Sequence, residues 1–597
     1  MRAMGQRFRR LYPYLWRHRR ALGLGMAFLL ATAYMEIRLA VLIGTGIDLV
    51  AIDFGFFSDV QRSLLGWFFL LAAGLALAVG VARFWTRRLI IGASRHIEFD
   101  LRNDLFDHLL AMSPSFYDRY RTGEIMSRAT ADLDAIRIVI GPAIMYLGNT
   151  IAVTPLALGQ MLRISPLLTA LVWLPLAVIA PLFYFFKARI YRRFRRVQEL
   201  MGDLTTNVQE TLAGIRVIKA YAREEDRDRL FGELSDRYVA ANVRLARLQA
   251  VFIPMLLLLG GLAMLVLVWA GSWLIIRGRL TIGELTSFFL LLNWSIWPLI
   301  ALGWVLTQIE RGSASMGRID EIFGQRPEIH PATETDGGNG VDGAGALGIE
   351  VRDLSFAYPR GEEAALSGVS LSIPAGTTLG LTGPVGCGKS TLARLLARRY
   401  NPPPGTILIG GRDVLEWPVA RLRARIGIVD QEPFLFSDSI GANIMLGVDG
   451  GPRDAAERMR RAAGAARIDE EISALPARYD TLLGERGINL SGGQRQRTAL
   501  ARALARDPSL LILDDALAAV DAQTEEAILG SLRELLTGRT TVIISHRIST
   551  VALADKIAFM EGGRVVEQGT HQELLARRGH YWRLAQRQRL ADEIERI

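Results

Sequence analysis

Six long apolar runs in the first half of the chain constrain its fold more than any other feature. They lie at residues 21–50, 64–84, 139–161, 166–186, 250–276 and 282–307. Each run approaches or exceeds the ~20 residues that a helix needs to cross a ~30 Å hydrocarbon core. Because backbone polar groups in lipid must be satisfied within the segment itself, the runs predict six membrane-spanning helices.

The distribution of arginine orients these spans. The chain carries a net charge of +10, and seven arginines precede the first apolar run. That run is far longer than the 7–15 apolar residues of a signal peptide, so we interpret it as a retained span with a cytoplasmic N-terminus. Six spans then return the chain to the cytoplasm. Because the positive-inside rule accounts for the arginine, the charge does not indicate a nucleic-acid partner.

The connecting segments alternate in length. Segments 51–63, 162–165 and 277–281 are short and assigned outside, whereas 85–137 and 187–249 are long, charged and assigned to the cytoplasm. Residues 325–347 contain proline and glycine and almost no apolar side chains, which predicts a flexible linker. We therefore expect a transmembrane domain at 1–324, the linker at 325–347, and a soluble domain with a C-terminal helical tail at 348–597.

A few polar and aromatic side chains interrupt the apolar runs. The polar ones are Glu36, Arg38, Asn149, Gln160 and Asn293, and three tryptophans lie at Trp294, Trp297 and Trp304. Ionisable groups at membrane depth usually face a cavity or a partner residue. For Glu36 and Arg38 we leave open whether they line a pathway or form an interhelical pair. The tryptophans are better explained by packing or interfacial anchoring than by substrate contact.

The soluble domain contains a phosphate-binding loop. The stretch is Gly383, Pro384, Val385, Gly386, Cys387, Gly388, Lys389, Ser390 and Thr391, which fits G-x-x-x-x-G-K-[ST] between a short strand and a helix. Glycines allow backbone N–H groups to surround an anion. In such a loop Lys389 reaches the β- and γ-phosphates and Ser390 is a ligand of Mg²⁺. Cys387, the only cysteine, excludes intrachain disulfides and is best explained as a small filler residue.

Two further apolar strands end in polar residues. The strand at 510–513 ends at Asp514 and Asp515, and the strand at 541–544 is followed by Ser545 and His546. At such a strand end Asp514 can hold the Mg²⁺ shell, and Asp515 can orient the attacking water. Residues 489–497, which precede both strands in the chain, open a helix with small residues and glycine. The start of that helix is a second candidate phosphate cradle.

This ordered set resembles the nucleotide-binding domain of ABC transporters. Residues 490–494 match the LSGGQ signature, Gln431 the Q-loop, Tyr358 the adenine-stacking aromatic, 518–521 the D-loop, His546 the switch histidine, and 484–487 a loop found before the signature in exporters. The resemblance implies that ATP and Mg²⁺ are bound. Ser390, Gln431 and Asp514 would then be Mg²⁺ ligands, and Asp515, His546 and Gln431 would act in hydrolysis. Ser491, Gly492, Gly493 and Gln494 would contact nucleotide across a sandwich of two such domains.

The membrane half resembles the exporter-type subfamily, because segments 116–128 and 209–219 are similar to its two intracellular coupling segments. The resemblance implies an all-α six-helix transmembrane domain followed by an α/β P-loop NTPase domain. It also implies an ATP-driven half-transporter in the bacterial inner membrane, with both termini cytoplasmic. Its substrate would be an amphipathic or hydrophobic drug, lipid or peptide taken from among the membrane lipids.

Asp515 departs from the family pattern, in which this position is normally glutamate. An aspartate places its oxygens about 1.5 Å further back, and such a displacement can lower a rate about a hundredfold. Asp515 together with an intact signature resembles one subunit of the heterodimeric multidrug or lipid exporters. In those pairs the site with aspartate hydrolyses ATP slowly, and the partner supplies glutamate at the other site. Three alternatives stay open: an importer with the exporter fold and a siderophore-like substrate, a homodimer, and a soluble ABC ATPase.

Overall fold

The structure is a computed structural model, and its contacts divide the chain into two units. It describes residues 8–595 except for 52–58, 330–344, 360, 362, 449–451, 485, 486, 518–524, 526, 529 and 531–537. The first unit comprises Met1–Asp107 and Gly123–Gly324, and the second comprises His108–Thr122 and Gln325–Ile597. The short segment 108–122 therefore clusters with the second half of the chain, although long helical segments of the first unit precede and follow it.

The described residues of the first half of the chain form helices joined by short turns. A 3₁₀ turn, Phe8–Leu11, is followed by α1 (Tyr12–Arg17), α2 (Arg19–Ala51), α3 (Asp59–Ala111), α4 (Pro114–Arg119), α5 (Thr122–Ser127), a π-helical turn (Arg128–Asp132), α6 (Leu133–Ile138), a second π-helical turn (Val139–Ala143), α7 (Ile144–Ile164), α8 (Pro166–Ala177), α9 (Ile179–Ala213), α10 (Ile215–Ala220), α11 (Glu224–Ile276) and α12 (Ile282–Gly324).

Five continuous helices in the described residues are long and apolar enough to span a membrane, which corrects the expected count of six. They are Arg19–Val50, Leu65–Ala111, Thr122–Ile164, Glu224–Ile276 and Ile282–Gly324. The predicted fourth run, 166–186, is divided between α8 and α9. Pro175 lies near the end of α8, and the chain turns at Val178, whose N–H bonds the Pro175 carbonyl at 3.2 Å. Pro181, in the first turn of α9, has no N–H to donate to the Ala177 carbonyl, so the helical hydrogen-bond ladder is interrupted here and one apolar run yields two helices.

Close backbone contact joins α2 and α12. A Cβ atom added to Gly44 would lie 2.3 Å from the Gly283 carbonyl oxygen, and one added to Gly283 would lie 2.0 Å from that of Gly44. Asp48 accepts a 2.6 Å hydrogen bond from the Gly283 N–H and another from the Thr281 hydroxyl. Small residues allow such helices to approach in a membrane. The pair of glycines therefore sets how closely α2 and α12 pack.

Glu36 forms an ion pair with Arg83, which joins α2 to α3. Arg38 does not take part: its Nε donates to the Tyr34 hydroxyl at 2.9 Å on the same helix. Residues two apart on a helix point in different directions, so Glu36 and Arg38 have different neighbours. The interhelical pair left open from the sequence exists, with Arg83 as its cation.

The second unit is built around two sheets. The strands are β1 (Ile349–Phe356), β2 (Leu366–Ile373), β3 (Thr378–Thr382), β4 (Ile407–Ile409), β5 (Arg412–Asp413), β6 (Ile426–Val429), β7 (Leu510–Asp514), β8 (Thr540–Ile544), β9 (Lys556–Glu561) and β10 (Arg564–Gly569). One sheet has the order β2-β1-β4-β5 with antiparallel pairing, and the other has the order β10-β9-β3-β8-β7-β6. In the larger sheet β9, β3, β8, β7 and β6 are parallel, and only β10 is antiparallel.

The helices in the second half of the chain pack against the larger sheet or against one another. They are α13 (Lys389–Leu396), α14 (Val419–Ala424), α15 (Ile440–Met445), α16 (Pro452–Ala465), α17 (Asp469–Ala474), α18 (Gly492–Ala505), α19 (Ile548–Val551), α20 (His571–Arg577) and α21 (His580–Glu595), with a 3₁₀ turn at Arg478–Asp480. Every residue of β3, β7 and β8 is buried. Because these three strands are parallel neighbours, the segments that follow their carboxyl ends meet at one edge of the sheet.

Candidate nucleotide site

The loop between β3 and α13 has a backbone that only glycine can provide at two positions. Gly383 and Gly388 have φ values of +146° and +100°. A Cβ atom at Gly383 would lie 2.1 Å from the Met560 carbonyl oxygen, and one at Gly388 would lie 2.6 Å from that of Ala365. The predicted strand–loop–helix context is confirmed. It directs successive loop N–H groups toward the N-terminal end of α13.

Lys389 is the buried cation of this loop. Its side chain is folded back, and its ammonium group donates hydrogen bonds to the carbonyl oxygens of Gly383 at 2.9 Å and Pro384 at 2.8 Å. The Cys387 sulfur, also buried, lies 3.6 Å from the same nitrogen. Within the described residues this ammonium contacts two carbonyl oxygens and a sulfur and forms no ion pair with a carboxylate, so an anion at the loop can be its counter-charge.

Asp514, at the end of β7, accepts a hydrogen bond from the Ser390 hydroxyl. Burial raises the pKa of the Asp514 carboxyl above its usual value, the bond from Ser390 opposes that rise, and the neighbouring charge of Asp515 adds to it. One carboxylate and one hydroxyl on adjacent elements form the small oxygen ligand set from which Mg²⁺ is usually bound together with phosphate oxygens and water. The two predicted ligands therefore lie together.

Asp515 faces His546 across the ends of β7 and β8. Its Oδ1 accepts a hydrogen bond from the His546 backbone N–H at 3.2 Å, and its Oδ2 lies 3.5 Å from His546 Nε2. The backbone of Asp515 is in the left-handed region at φ +45°, and its N–H donates to the Ile544 carbonyl at 2.9 Å. Aspartate tolerates that conformation better than most residues. The carboxylate is thus held next to the imidazole.

Two glutamines that sequence analysis did not identify form hydrogen bonds with the backbone at this edge of the larger sheet. Gln588 of α21 donates to the His546 carbonyl at 2.5 Å and accepts from the Ile548 N–H at 2.8 Å. Gln496 of α18 is buried and donates to the Asp515 carbonyl at 3.3 Å. No motif marks either residue, since each acts through a tertiary contact with a distant segment. They link the Asp515–His546 pair to the signature helix and the C-terminal helix.

Tyr358 is half-buried beside the phosphate loop. Its hydroxyl donates to Thr391 at 3.2 Å and accepts from Arg394 at 3.2 Å, and its ring meets those of Phe356 and Tyr400 edge-on. These neighbours set the orientation of the Tyr358 ring. Its contact with adenine stays a prediction.

Gln431 follows β6 and is exposed, whereas its neighbour Asp430 forms a bidentate ion pair with Arg399.

The signature residues form the N-terminal cap of α18. The Ser491 hydroxyl accepts from the Gln494 N–H at 3.2 Å, and the Gln494 side chain accepts from the Ser491 N–H at 2.9 Å. This capping box leaves Ser491 exposed and Gly492 half-exposed. Within the described residues, residues 491–494 form no hydrogen bond with the chain's own phosphate loop. Residues 518–521 and 485–486, assigned to the D-loop and the pre-signature loop, lie outside the described residues.

The described residues fit a nucleoside triphosphate with Mg²⁺. The glycine loop can approach phosphate oxygens closely, the buried Lys389 supplies a cation, and Ser390 with Asp514 supplies oxygen ligands for the metal. Within the part of the chain that the structure describes, no group of three or more His, Cys, Asp or Glu side chains could hold a metal by itself. A metal at this site therefore depends on oxygens from the nucleotide.

Comparison with known proteins agrees with this geometry. The family described as ABC transporter transmembrane region matches residues 22–299, and the family described as ABC transporter matches residues 366–518. A probable multidrug resistance ABC transporter ATP-binding/permease protein of Bacillus subtilis is 36% identical over 569 residues, which cover 95% of each chain.

Two further similarities cover most of the chain. An ATP-dependent lipid A-core flippase of Pseudomonas aeruginosa is 36% identical over 526 residues, or 86% of this chain and 83% of that protein. The solved structure of a bacterial Atm1-family ABC exporter with ATP bound is similar with a TM-score of 0.75 and 28% identity, covering 96% of this chain and 98% of the other.

Proposed function

Because this chain belongs to the exporter-type ABC transporters, multi-pass membrane proteins that couple ATP hydrolysis to transport, we propose that it is one half-transporter of a heterodimeric exporter. It exports an amphipathic or hydrophobic drug, lipid or peptide across the bacterial inner membrane and has both termini in the cytoplasm. The domain limits are those expected from the sequence: the transmembrane domain at 1–324, the linker at 325–347 and the ATP-binding domain at 348–597.

The ATP site assigns a task to each side chain. Lys389 leaves the carbonyl oxygens of its own loop and binds the β- and γ-phosphates, with Ser390 and Asp514 as protein ligands of Mg²⁺ and Gln431 contributing from the Q-loop. Bound Mg²⁺ neutralises charge on the phosphates and orients them. Tyr358 contacts the adenine. Asp515 orients the attacking water, and His546 contacts the γ-phosphate from the next strand end.

The signature residues serve the other nucleotide of a two-domain sandwich. Ser491 through Gln494 are presented at the exposed start of α18, where backbone N–H groups and the helix dipole favour a phosphate. In the proposed dimer they contact ATP held by the partner subunit. ATP binds the closed pair of domains more tightly than the open pair, and this difference in affinity drives the change in access of the membrane domain.

The observation that carries the heterodimer proposal is Asp515, an aspartate at the position where the family has glutamate. Its carboxylate contacts His546 twice, and because its side chain is one methylene shorter than glutamate, its oxygens would lie about 1.5 Å further from the attacking water. The chain's own ATP site is then the slow one. A partner with glutamate at the corresponding strand end carries most of the hydrolysis, and this chain completes that second site with Ser491.

The transport proposal is tested by the sign of flux in proteoliposomes that contain the chain together with any subunit that copurifies with it. ATP added to the nucleotide-binding side should drive a fluorescent amphiphile away from that side, and Lys389→Ala in this chain should weaken nucleotide binding at its own site. ATP-driven movement toward the nucleotide-binding side would establish the importer alternative instead. The alternative of a soluble ABC ATPase is ruled out by the transmembrane-region family match.

A further inference from the structure

A cavity of about 460 Å³ lies among four helices of the membrane unit: α2, α3, α7 and α12. The polar and aromatic side chains that line it include Glu36, Arg83, Arg87, Asn149, Trp294 and Trp297. Glu36 lies midway along α2, and helices of this length place such a residue ~25 Å from the helix start. Polar groups therefore meet well inside the apolar part of the unit, and groups at that depth are commonly functional.

The accessible charge in this cavity is positive. Glu36 is paired with Arg83, and its side chain is 10% exposed, whereas that of Arg83 is 59% exposed. Arg87 lies one helical turn after Arg83 and is also exposed, and it forms no ion pair with the described residues. The charged side chains among the described lining residues are thus two guanidinium groups and one shielded carboxylate, and Tyr146 adds a neutral phenol.

Polar groups of the lining that have no hydrogen-bond partner in the described chain can donate to a bound molecule. The hydroxyls of Thr32 and Thr86, which line the cavity as well, already donate to backbone carbonyls of their own helices at 2.7 and 2.9 Å. Asn149 is half-exposed, and its side-chain amide forms no hydrogen bond with the described residues. Its NH₂ group and the guanidinium groups are suited to an anion with several acceptor oxygens.

The remaining wall is aromatic. Trp297 is 64% exposed and Trp294 is half-buried, and both lie on α12. Indole faces provide a large apolar surface next to the charged end of the cavity. The cavity therefore combines a cationic end with an apolar wall, which is the arrangement that an amphiphile with an anionic group requires.

We infer that this cavity binds the transported molecule and that its substrate class is an amphipathic organic anion. The anionic group lies at Arg87 and the exposed side of Arg83, and the apolar body lies against Trp294 and Trp297. This inference rests on the proposed transport function and makes its substrate class specific. An amphipathic cation is disfavoured because Glu36, the one carboxylate among the described lining residues, is already paired with Arg83.

The test compares two amphiphiles that share one alkyl tail. The full chain, with any copurifying subunit, is placed in nanodiscs of zwitterionic phosphatidylcholine, and saturable binding of radiolabelled lauryl sulfate and lauryltrimethylammonium is measured after subtraction of empty discs. One charge-assisted contact is equivalent to about a tenfold difference in affinity, so lauryl sulfate should bind about ten times more tightly than the cation.

Two arginine variants provide a matched pair. Arg87→Gln should weaken lauryl sulfate binding by about tenfold and leave the cation unaffected. Arg88→Gln removes the same charge from the next residue of α3, which does not line the cavity, and should change the affinity for either probe by less than about twofold. Glu36→Gln should release Arg83 and strengthen lauryl sulfate binding. Tighter binding of the cation, or equal effects of Arg87→Gln and Arg88→Gln, would overturn the inference.

The same nanodiscs separate this inference from the transport proposal and distinguish two sources of the anion. Selective anion binding without ATP hydrolysis would contradict the transport proposal and support the anion site. ATP hydrolysis without charge-selective binding would support the transport proposal and contradict the anion site. If an anionic bilayer phospholipid is the occupant, phosphatidylglycerol in the discs should compete with lauryl sulfate in the parent chain far more than in Arg87→Gln. Competition confined to added soluble amphiphiles would identify a smaller organic anion.

Discussion

The carboxylate of Asp515 is held against His546 by two contacts, one to the backbone N–H at 3.2 Å and one to the imidazole Nε2 at 3.5 Å. The backbone at Asp515 has a positive φ of +45°, and the carbonyl of the same residue accepts from the buried Gln496. The acid and the histidine therefore form one unit, which is fixed by β7, β8 and the signature helix. A change at any of these three elements will alter the position of the carboxylate.

The first prediction concerns the asymmetry of the two ATP sites. Asp515→Asn keeps the shape and tolerates the left-handed backbone, so it should reduce the steady-state ATPase of the copurified complex by less than about threefold, because this site is already slow. Ser491→Arg should lower the same rate by about a hundredfold, because it places bulk and charge at the phosphate of the fast site.

Nucleotide binding to both variants serves as the control for folding, since neither change removes Lys389 or Ser390. In a homodimer both substitutions occur twice, and both should be severe. Equal losses of ATPase in the two variants would therefore contradict the heterodimer proposal and favour two identical sites.

The second prediction ranks two contacts with ATP. Lys389→Ala should weaken ATP binding at this chain's own site by more than about a hundredfold, since a buried charge-assisted contact is lost. Tyr358→Ala should weaken it by about tenfold, because one aromatic stack contributes roughly 1–3 kcal/mol. Tyr358→Phe separates the ring from the hydroxyl that bonds Thr391. Equal losses for Lys389→Ala and Tyr358→Ala in a binding titration would refute the ranking.

The third prediction concerns the segment 108–122, which continues directly from α3. The Tyr400 hydroxyl donates a 2.5 Å hydrogen bond to Asp118, and burial together with Asp118 raises the pKa of Tyr400. Tyr400→Phe removes this bond and keeps the ring that packs on Tyr358. We expect ATP affinity within about twofold of the parent and a several-fold loss of substrate-stimulated ATPase and transport.

Asp118→Asn should reproduce that loss only in part, because the amide oxygen can still accept from Tyr400. A matched change at the exposed Glu210, in the other segment expected to couple, should likewise spare ATP binding. A loss of nucleotide affinity in Tyr400→Phe would show instead that the bond supports the ATP site itself.

The fourth prediction concerns pH. Burial raises the pKa of Asp514 above its ordinary value of 3.8, and only the ionised carboxylate can be a ligand of Mg²⁺. The Mg²⁺-dependent part of ATP affinity should therefore be complete above the raised pKa and decline as the pH falls through it, at a higher pH than for an exposed aspartate. Titrations with and without EDTA between about pH 5 and 8 isolate this part. An affinity gain from Mg²⁺ that is constant over that range would contradict the assignment.

Much of the second unit could be predicted from the sequence because its signals are local. The glycine loop, the buried runs of β7 and β8, and the capping pattern at Ser491 each depend on a few adjacent residues, and the structure has the corresponding strands and helices. Apolar length likewise predicted five of the spans. The fourth run shows the limit of this signal, since apolar length does not show where a proline such as Pro181 divides a helix.

What the sequence determined by itself was the set of chemical groups and the elements that carry them; what only the tertiary structure decided was which groups meet. Glu36 is paired with Arg83, 47 residues away, and not with nearby Arg38. Gln588 supports His546 from the last helix, and Gln496 reaches Asp515 from the signature helix. Such contacts depend on how helices and strands pack after they form, and residues far apart in the chain leave no local pattern that announces their proximity.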